Sequence, residues 1–280
     1  MLKLRLITAL WGIPLLCLAV WFDQPLPWYT VLIAAWGALA VWEFYRVVAA
    51  SKVSPLKYFG TVLTLLFILS RSSHVLTWLV PYIDIPLVTP LLLTSLVVLP
   101  LIWLLLRRQK DGALAGWVWT VAGILYIGWL MGFQVALRDL NAGAGRNWVF
   151  LALFATFASD TAAFFVGRAL GKHKLAPDIS PAKTKEGAVA GAVGAILVAI
   201  LFTVPTPLVL HISLWKAALG GLLISIFGQL GDLAESLLKR NMGVKDSGTW
   251  LPGHGGMLDR LDSIVFAGVV VYFYAIWVMR

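Results

Sequence analysis

Residues 221–278 read GLLISIFGQLGDLAESLLKRNMGVKDSGTWLPGHGGMLDRLDSIVFAGVVVYFYAIWV, two apolar runs separated by a stretch dense in charge and glycine. A bilayer crossing needs about 20 mostly apolar residues in helical form, and both runs reach that length or approach it. The same alternation continues toward the amino terminus. Apolar windows fall at about 4–22, 28–48, 58–80, 86–106, 113–137, 148–170, 187–204, 208–238 and 263–279, in a chain of 280 residues that is 60% hydrophobic and 12% charged. The expectation is an all-α, polytopic membrane protein with about nine transmembrane helices, built as a single integral-membrane domain over residues 1–280. The third window is the weakest, because Arg71, Ser72, Ser73 and His74 interrupt it. The amino-terminal run has a basic start but no small-residue cleavage site, so it reads as a retained first helix. Cys17 is the single cysteine, which leaves no partner for an intramolecular disulfide.

Charge orients the chain. Lys and Arg number 22 against 13 Asp and Glu, and cytoplasmic loops carry the Lys/Arg excess. Nine crossings with a cytoplasmic amino terminus put only Arg71, Arg138, Arg146, Lys216 and Arg280 on the far side, leaving 17 of the 22 facing the cytoplasm. Both polar segments of interest, about 171–186 and 239–262, then share that side. The spacing of Gly187, Gly191 and Gly194 predicts close helix packing.

Before the polar stretch, Asp232, Glu235, Ser236, Lys239 and Arg240 recur at i, i+3, i+4, i+7 and i+8, on one helical face. An ionisable group such as Asp232 at the end of a crossing points to a polar cavity or a counter-ion. In PGHGG, residues 252–256, the glycines permit the backbone angles that turn successive N–H groups toward an anion. Gly255 and Gly256 are therefore expected to cradle phosphate, with His254 beside them. Asp259, Arg260 and Asp262 open the last helix, where helix capping explains one carboxylate but not the whole set with Lys245 and Asp246. Upstream, Asp160 and Arg168 read as a polar seam on one helix, and Lys172, Lys174, Lys183 and Lys185 crowd a polar loop. Carboxylate oxygens, a glycine-rich cradle and many cations on one face suit magnesium-dependent transfer on a nucleotide.

Ser236, Lys239, Arg240, Lys245, Asp246, Gly248, Leu251, Pro252, His254, Gly255, Gly256, Asp259, Arg260 and Asp262, at these spacings, resemble the carboxyl-terminal signature of the phosphatidate cytidylyltransferases. SDTAAFFVGR at 159–168, SPAKTKEG at 180–187 and WEFYR at 42–46 are similar to that family's earlier motifs, with Ala182 as a visible departure beside Lys183. The resemblance implies a membrane-embedded enzyme that transfers CMP from CTP to phosphatidic acid and releases pyrophosphate. It further implies a homodimer in the cytoplasmic (inner) membrane and a binuclear centre of Mg2+ with K+ as the second metal, held by Asp232 and Asp259. Lys239, Arg240, Lys245, His254 and Arg260 are then expected at phosphates. Ser236, Asp246 and Asp262 are expected near the substrates, and Lys183 and Lys185 at the lipid phosphate or the nucleotide.

Two other readings make different predictions. A CTP-dependent lipid kinase releases CDP instead of pyrophosphate. An ion-coupled transporter using Asp160 and Asp232 needs polar residues at mid-membrane on several helices, whereas here they gather toward one face.

Overall fold

The computed structural model describes residues 2–22, 26–107, 111–140, 143–248 and 255–280, with side chains from residue 10 onward. His254 and the rest of 249–254 lie outside the described residues. Among those described, the elements are α1 (Leu2–Trp21), α2 (Trp28–Ala50), α3 (Lys57–Leu69), α4 (Ser73–Leu79), α5 (Ile85–Leu106), α6 (Ala113–Gly123), a π-helical turn (Ile124–Trp129), α7 (Leu130–Arg138), α8 (Ala144–Leu170), β1 (Lys174–Ala176), β2 (Ser180–Thr184), α9 (Lys185–Leu201), α10 (Leu214–Asn241) and α11 (Leu258–Met279). The protein is a helical, multi-pass membrane protein. Among the described residues six helices are long and apolar enough to cross a bilayer, or seven if the bent pair α3 and α4 is counted as one span.

That count leaves two of the nine expected windows outside it. Helix α1 runs 20 residues with its side chains described from Leu10, and α9 has 17 residues, near the lower limit for a crossing. The eighth window also opens later than expected, at Leu214. The weak third window breaks where its polar residues fall, with α3 and α4 meeting at 98°. At this break the Ser70 hydroxyl donates to the Phe67 carbonyl at 2.8 Å, a local bond that competes with the helical ladder. Arg71 lays its guanidinium 4.5 Å over the Trp129 ring, which gives the charge an aromatic partner inside an apolar surrounding.

The chain divides into two compact units, Met1–Ala136 with Met242–Arg260, and Leu137–Asn241 with Leu261–Arg280. In the first, Leu63, Phe67, Val88, Leu92, Leu96 and Ile124 form a buried cluster. The fully buried Tyr45 of WEFYR donates to the Thr120 carbonyl at 2.9 Å. Tyr29 donates to Gln134 at 3.2 Å, a buried bond between α2 and α7.

In the second unit α9 runs antiparallel to α8, and the expected glycine packing is present. A Cβ at Gly187 would stand 2.7 Å from the Ala163 carbonyl oxygen, and one at Gly191 would stand 2.9 Å from the Ser159 hydroxyl. Across this contact runs a polar seam. The Ser159 and Ser225 hydroxyls lie 2.7 Å apart, and the Gln229 amide donates to Ser225 at 2.8 Å and to the Ala188 carbonyl at 3.2 Å. Between α8 and α9, β1 and β2 pair antiparallel with Lys174 opposite Thr184 and Ala176 opposite Ser180, around an irregularity between the two pairs. This hairpin is an addition to the expected all-α architecture.

Candidate active site

In the second unit the hairpin carries Lys183 to α10, where its ammonium meets Asp232 Oδ2 at 2.6 Å. Thr184 fixes the turn into α9 by accepting the Gly187 N–H at 3.1 Å, and Lys185 N–H closes the base of the hairpin on the His173 carbonyl at 2.9 Å. Glu186 adds a latch. Its carboxylate accepts the N–H groups of Lys172 and His173 and lies 2.6 Å from His173 Nδ1. The His173 side chain, then neighbouring backbone N–H groups, hold that carboxyl down at about 2.

Asp232 is met on its other oxygen by the Ser236 hydroxyl, one turn along α10, at 3.3 Å. Two more carboxylates face it within the unit. Asp160 on α8 accepts a hydrogen bond from the Ser263 side chain and feels the charges of Asp232 and Lys183. Asp262 on α11 accepts the Ser263 N–H at 2.7 Å and feels Asp232, Asp160 and Lys239. Lys239 itself pairs with the fully buried Glu235 at 2.9 Å. Three helices and a hairpin thus bring together three aspartates and two lysines. Arg240 leans its Nε toward the Ile179 carbonyl at 3.5 Å, and Lys185 is exposed.

In the first unit two carboxylates, Asp259 and Glu43, hold the described site residues. Asp259, in the first turn of α11, accepts the N–H of Gly256 at 2.9 Å and of Ser247 at 3.1 Å through Oδ2. Glu43, from the middle of α2, accepts the Ser247 hydroxyl at 3.1 Å and the Leu258 N–H at 2.9 Å through Oε2. Gly255 has φ +83°, the left-handed backbone expected of PGHGG. The neighbouring N–H of Gly256, expected to face phosphate, is instead held by Asp259. Lys245, Asp246 and Arg260 are exposed.

The oxygen donors are of the right kind for a hard divalent cation. Asp160, Asp232 and Asp262 repel one another, and bound positive charge relieves that repulsion. Among the described residues no group of three His, Cys, Asp or Glu side chains is drawn into a ready ligand set.

Residues 3–278 match the sequence model of the Cytidylyltransferase family. The chain belongs to the cytidylyltransferase family. It is 38% identical over 246 residues to the phosphatidate cytidylyltransferase of Bacillus subtilis (strain 168), an alignment covering 88% of this chain and 87% of that protein. It is 48% identical over 143 residues to the phosphatidate cytidylyltransferase of Staphylococcus epidermidis (strain ATCC 12228 / FDA PCI 1200), covering 51% of this chain and 53% of that one. With the phosphatidate cytidylyltransferase of Brucella suis biovar 1 (strain 1330) it shares 40% over 175 residues, covering 61% and 60%.

In this cytidylyltransferase the structure gathers Lys183, Asp232, Ser236, Lys239 and Asp262 within the second unit, and Gly255, Gly256 and Asp259 within the first. It also gives places to three acidic residues that the sequence reading left without a role at the site. Asp160, read as a partner for Arg168 along its own helix, turns to Ser263 and Lys183. Glu235 anchors Lys239, and its position one turn from Asp232 on the polar face was the available signal. Glu43 lies in WEFYR, the motif at 42–46, which marked the stretch without showing what its carboxylate holds.

Proposed function

We propose that the chain is a phosphatidate cytidylyltransferase that transfers CMP from CTP to phosphatidic acid, giving CDP-diacylglycerol and pyrophosphate. The observation that carries this reading is the 38% identity to the Bacillus subtilis phosphatidate cytidylyltransferase across 88% of the chain. The second unit's cluster supports it chemically. A phosphate oxygen of the lipid attacks the α-phosphorus of CTP, the bond from that phosphorus to the bridging oxygen breaks, and pyrophosphate leaves with the electron pair. The attacking phosphate has a second pKa of about 6 and is largely ionised at neutral pH, so the chain need not supply a strong base. Its task is to bring polyanions together and to hold positive charge where the leaving group develops negative charge.

Lys183, placed by the hairpin, and Lys239, braced by Glu235, supply ammonium groups for this task. Lys185, Arg240, Lys245, His254 and Arg260 are proposed at the phosphates, with Ser236, Asp246, Asp262 and the Gly255–Gly256 turn beside the substrates. Asp232 and Asp259 are the proposed carboxylates for Mg2+, with K+ as the second metal. When bound, Mg2+ offsets charge on the phosphates and on the departing pyrophosphate. The proposal includes a homodimer in the inner membrane, nine crossings and a cytoplasmic site. The side on which 17 of 22 cations fall supports that orientation.

The test incubates purified protein with phosphatidic acid and CTP labelled in turn at the α and γ positions. The expected result is α-label in the lipid, γ-label in pyrophosphate, and loss of both on chelation of magnesium. Transfer of γ-label to lipid with release of CDP establishes the kinase reading instead.

A further inference from the structure

One face of α5 outruns the core it packs on. Val88, Leu92 and Leu96 enter the buried cluster of the first unit. Continuing at spacings of three and four residues, Leu99, Ile102, Trp103 and Leu106 keep to the same helical face but are exposed. They line a cavity of about 710 Å³ whose other wall comes from the start of α3, where Phe59 also packs on the buried cluster. That size suits one bound organic molecule or lipid tail.

Two cations line the same cavity. Lys57 is the first residue of α3, and Arg107 follows the last residue of α5. Among the described residues neither is paired with a carboxylate. The Arg107 guanidinium lies 4.6 Å over the Trp103 ring, so its face is stacked while its in-plane N–H donors stay available to an anion. The first turn of α3 has no side-chain cap, and its N–H groups add to the positive end. A free phosphate would meet these cations and leave the apolar wall uncovered. An uncharged tail would cover the wall and leave the cations without a counter-ion. A lipid with an anionic head satisfies both, and basic residues at pockets between membrane helices hold such head groups.

We propose that this cavity binds an anionic glycerophospholipid of the surrounding bilayer, with an acyl chain against Leu99, Ile102 and Leu106 and its phosphate on Lys57 and Arg107. The lipid is held as a ligand and not as substrate. None of these residues is among those proposed above at CTP, phosphatidic acid or metal.

The experiment follows retention of phosphatidylglycerol, against phosphatidylcholine of the same acyl chains, by native mass spectrometry of the purified full-length chain. A cation near a lipid head group contributes about five-fold in affinity. Lys57→Gln and Arg107→Gln should each weaken phosphatidylglycerol binding by about that factor, and together by about twenty-five-fold, with phosphatidylcholine unaffected. Equal retention of the two lipids by the wild-type protein overturns the proposal, as does unchanged phosphatidylglycerol binding in the double variant. If the double variant yields no folded protein, Arg107→Gln alone, at an exposed position beyond α5, must show the single-site loss. The KM for phosphatidic acid should not change in any of these variants. A rise in that KM matching the loss of phosphatidylglycerol would make the occupant the substrate and overturn the assignment. A disulfide between two copies carrying Ile102→Cys, with Cys17 replaced by Ser and no phosphatidylglycerol retained, would make the cavity a subunit interface and overturn it as well. The retention measurement needs no turnover, so it decides the lipid site even if the proposed reaction fails.

Discussion

Lys183 and Asp232 hold their charges 2.6 Å apart with side chains 22% and 33% exposed. An ion pair with that much access to solvent contributes about 0–1 kcal/mol to stability, and 1 kcal/mol moves the melting temperature of a chain this size by about 2–4 °C. Lys183→Met should therefore melt within about 4 °C of wild type. Its turnover should fall about a hundred-fold, the usual scale for removing one group aimed at developing charge. Asp232→Asn is expected to be at least as damaging to turnover. The double variant should be little worse than the worse single one, because the two residues act as a unit. Activity that falls only as far as melting temperature does would reduce the pair to a structural brace. The sequence made both residues visible as charged positions at the ends of apolar runs. It did not show that they face each other, because their meeting depends on how the hairpin folds back onto α10.

The hairpin is the element the sequence concealed most fully. Its strands have three and five residues, KLA and SPAKT, with a proline and no alternation of apolar and polar positions that would mark a half-buried strand. What holds it is a set of backbone bonds and the Glu186 latch, and neither has a periodic signature. The helices were legible because their apolar windows are long. The π-helical turn at Ile124–Trp129 was not, since its extra residue per turn leaves an apolar segment looking like ordinary helix. Because the Glu186 carboxyl is held down at about 2 from an ordinary 4.5, its contribution is fully present above about 4.5 and disappears only as pH falls through about 2. From about pH 8 to pH 5 the Glu186 carboxyl therefore stays ionised, and any change in exchange protection of the 172–186 backbone over that range, once intrinsic rates are corrected, is expected to come from groups other than Glu186. Glu186→Gln removes the charge at every pH and should lower that protection throughout the range. Equal protection in the variant and the wild type would show that the strand bonds hold the hairpin without the latch.

Across the whole molecule, the apolar windows and the described helices coincide closely enough that the number of crossings turns on one short rod. Helix α9 has 17 residues, about 25 Å of rise against a hydrocarbon core of about 30 Å. It runs antiparallel to α8 through glycine contacts, which holds it to the same depth as a helix of 27 residues. If α9 crosses, Thr206 beyond its carboxyl end and Asn241 at the end of α10 lie on opposite sides of the membrane. Both are exposed positions within the second unit. If α9 turns back instead, α10 alone separates them, so that pair cannot decide the matter; the hairpin before α9 supplies the third point. With Cys17 replaced by Ser, single cysteines at Lys174, Thr206 and Asn241 should give one pattern with a membrane-impermeant thiol reagent in intact cells. Thr206→Cys should react, while Lys174→Cys and Asn241→Cys should react only after the membrane is opened. Joint protection of Lys174→Cys and Thr206→Cys would place both ends of α9 on the cytoplasmic side and remove one crossing. Reaction at Lys174→Cys and Asn241→Cys, with protection at Thr206→Cys, would invert the orientation drawn from the cations.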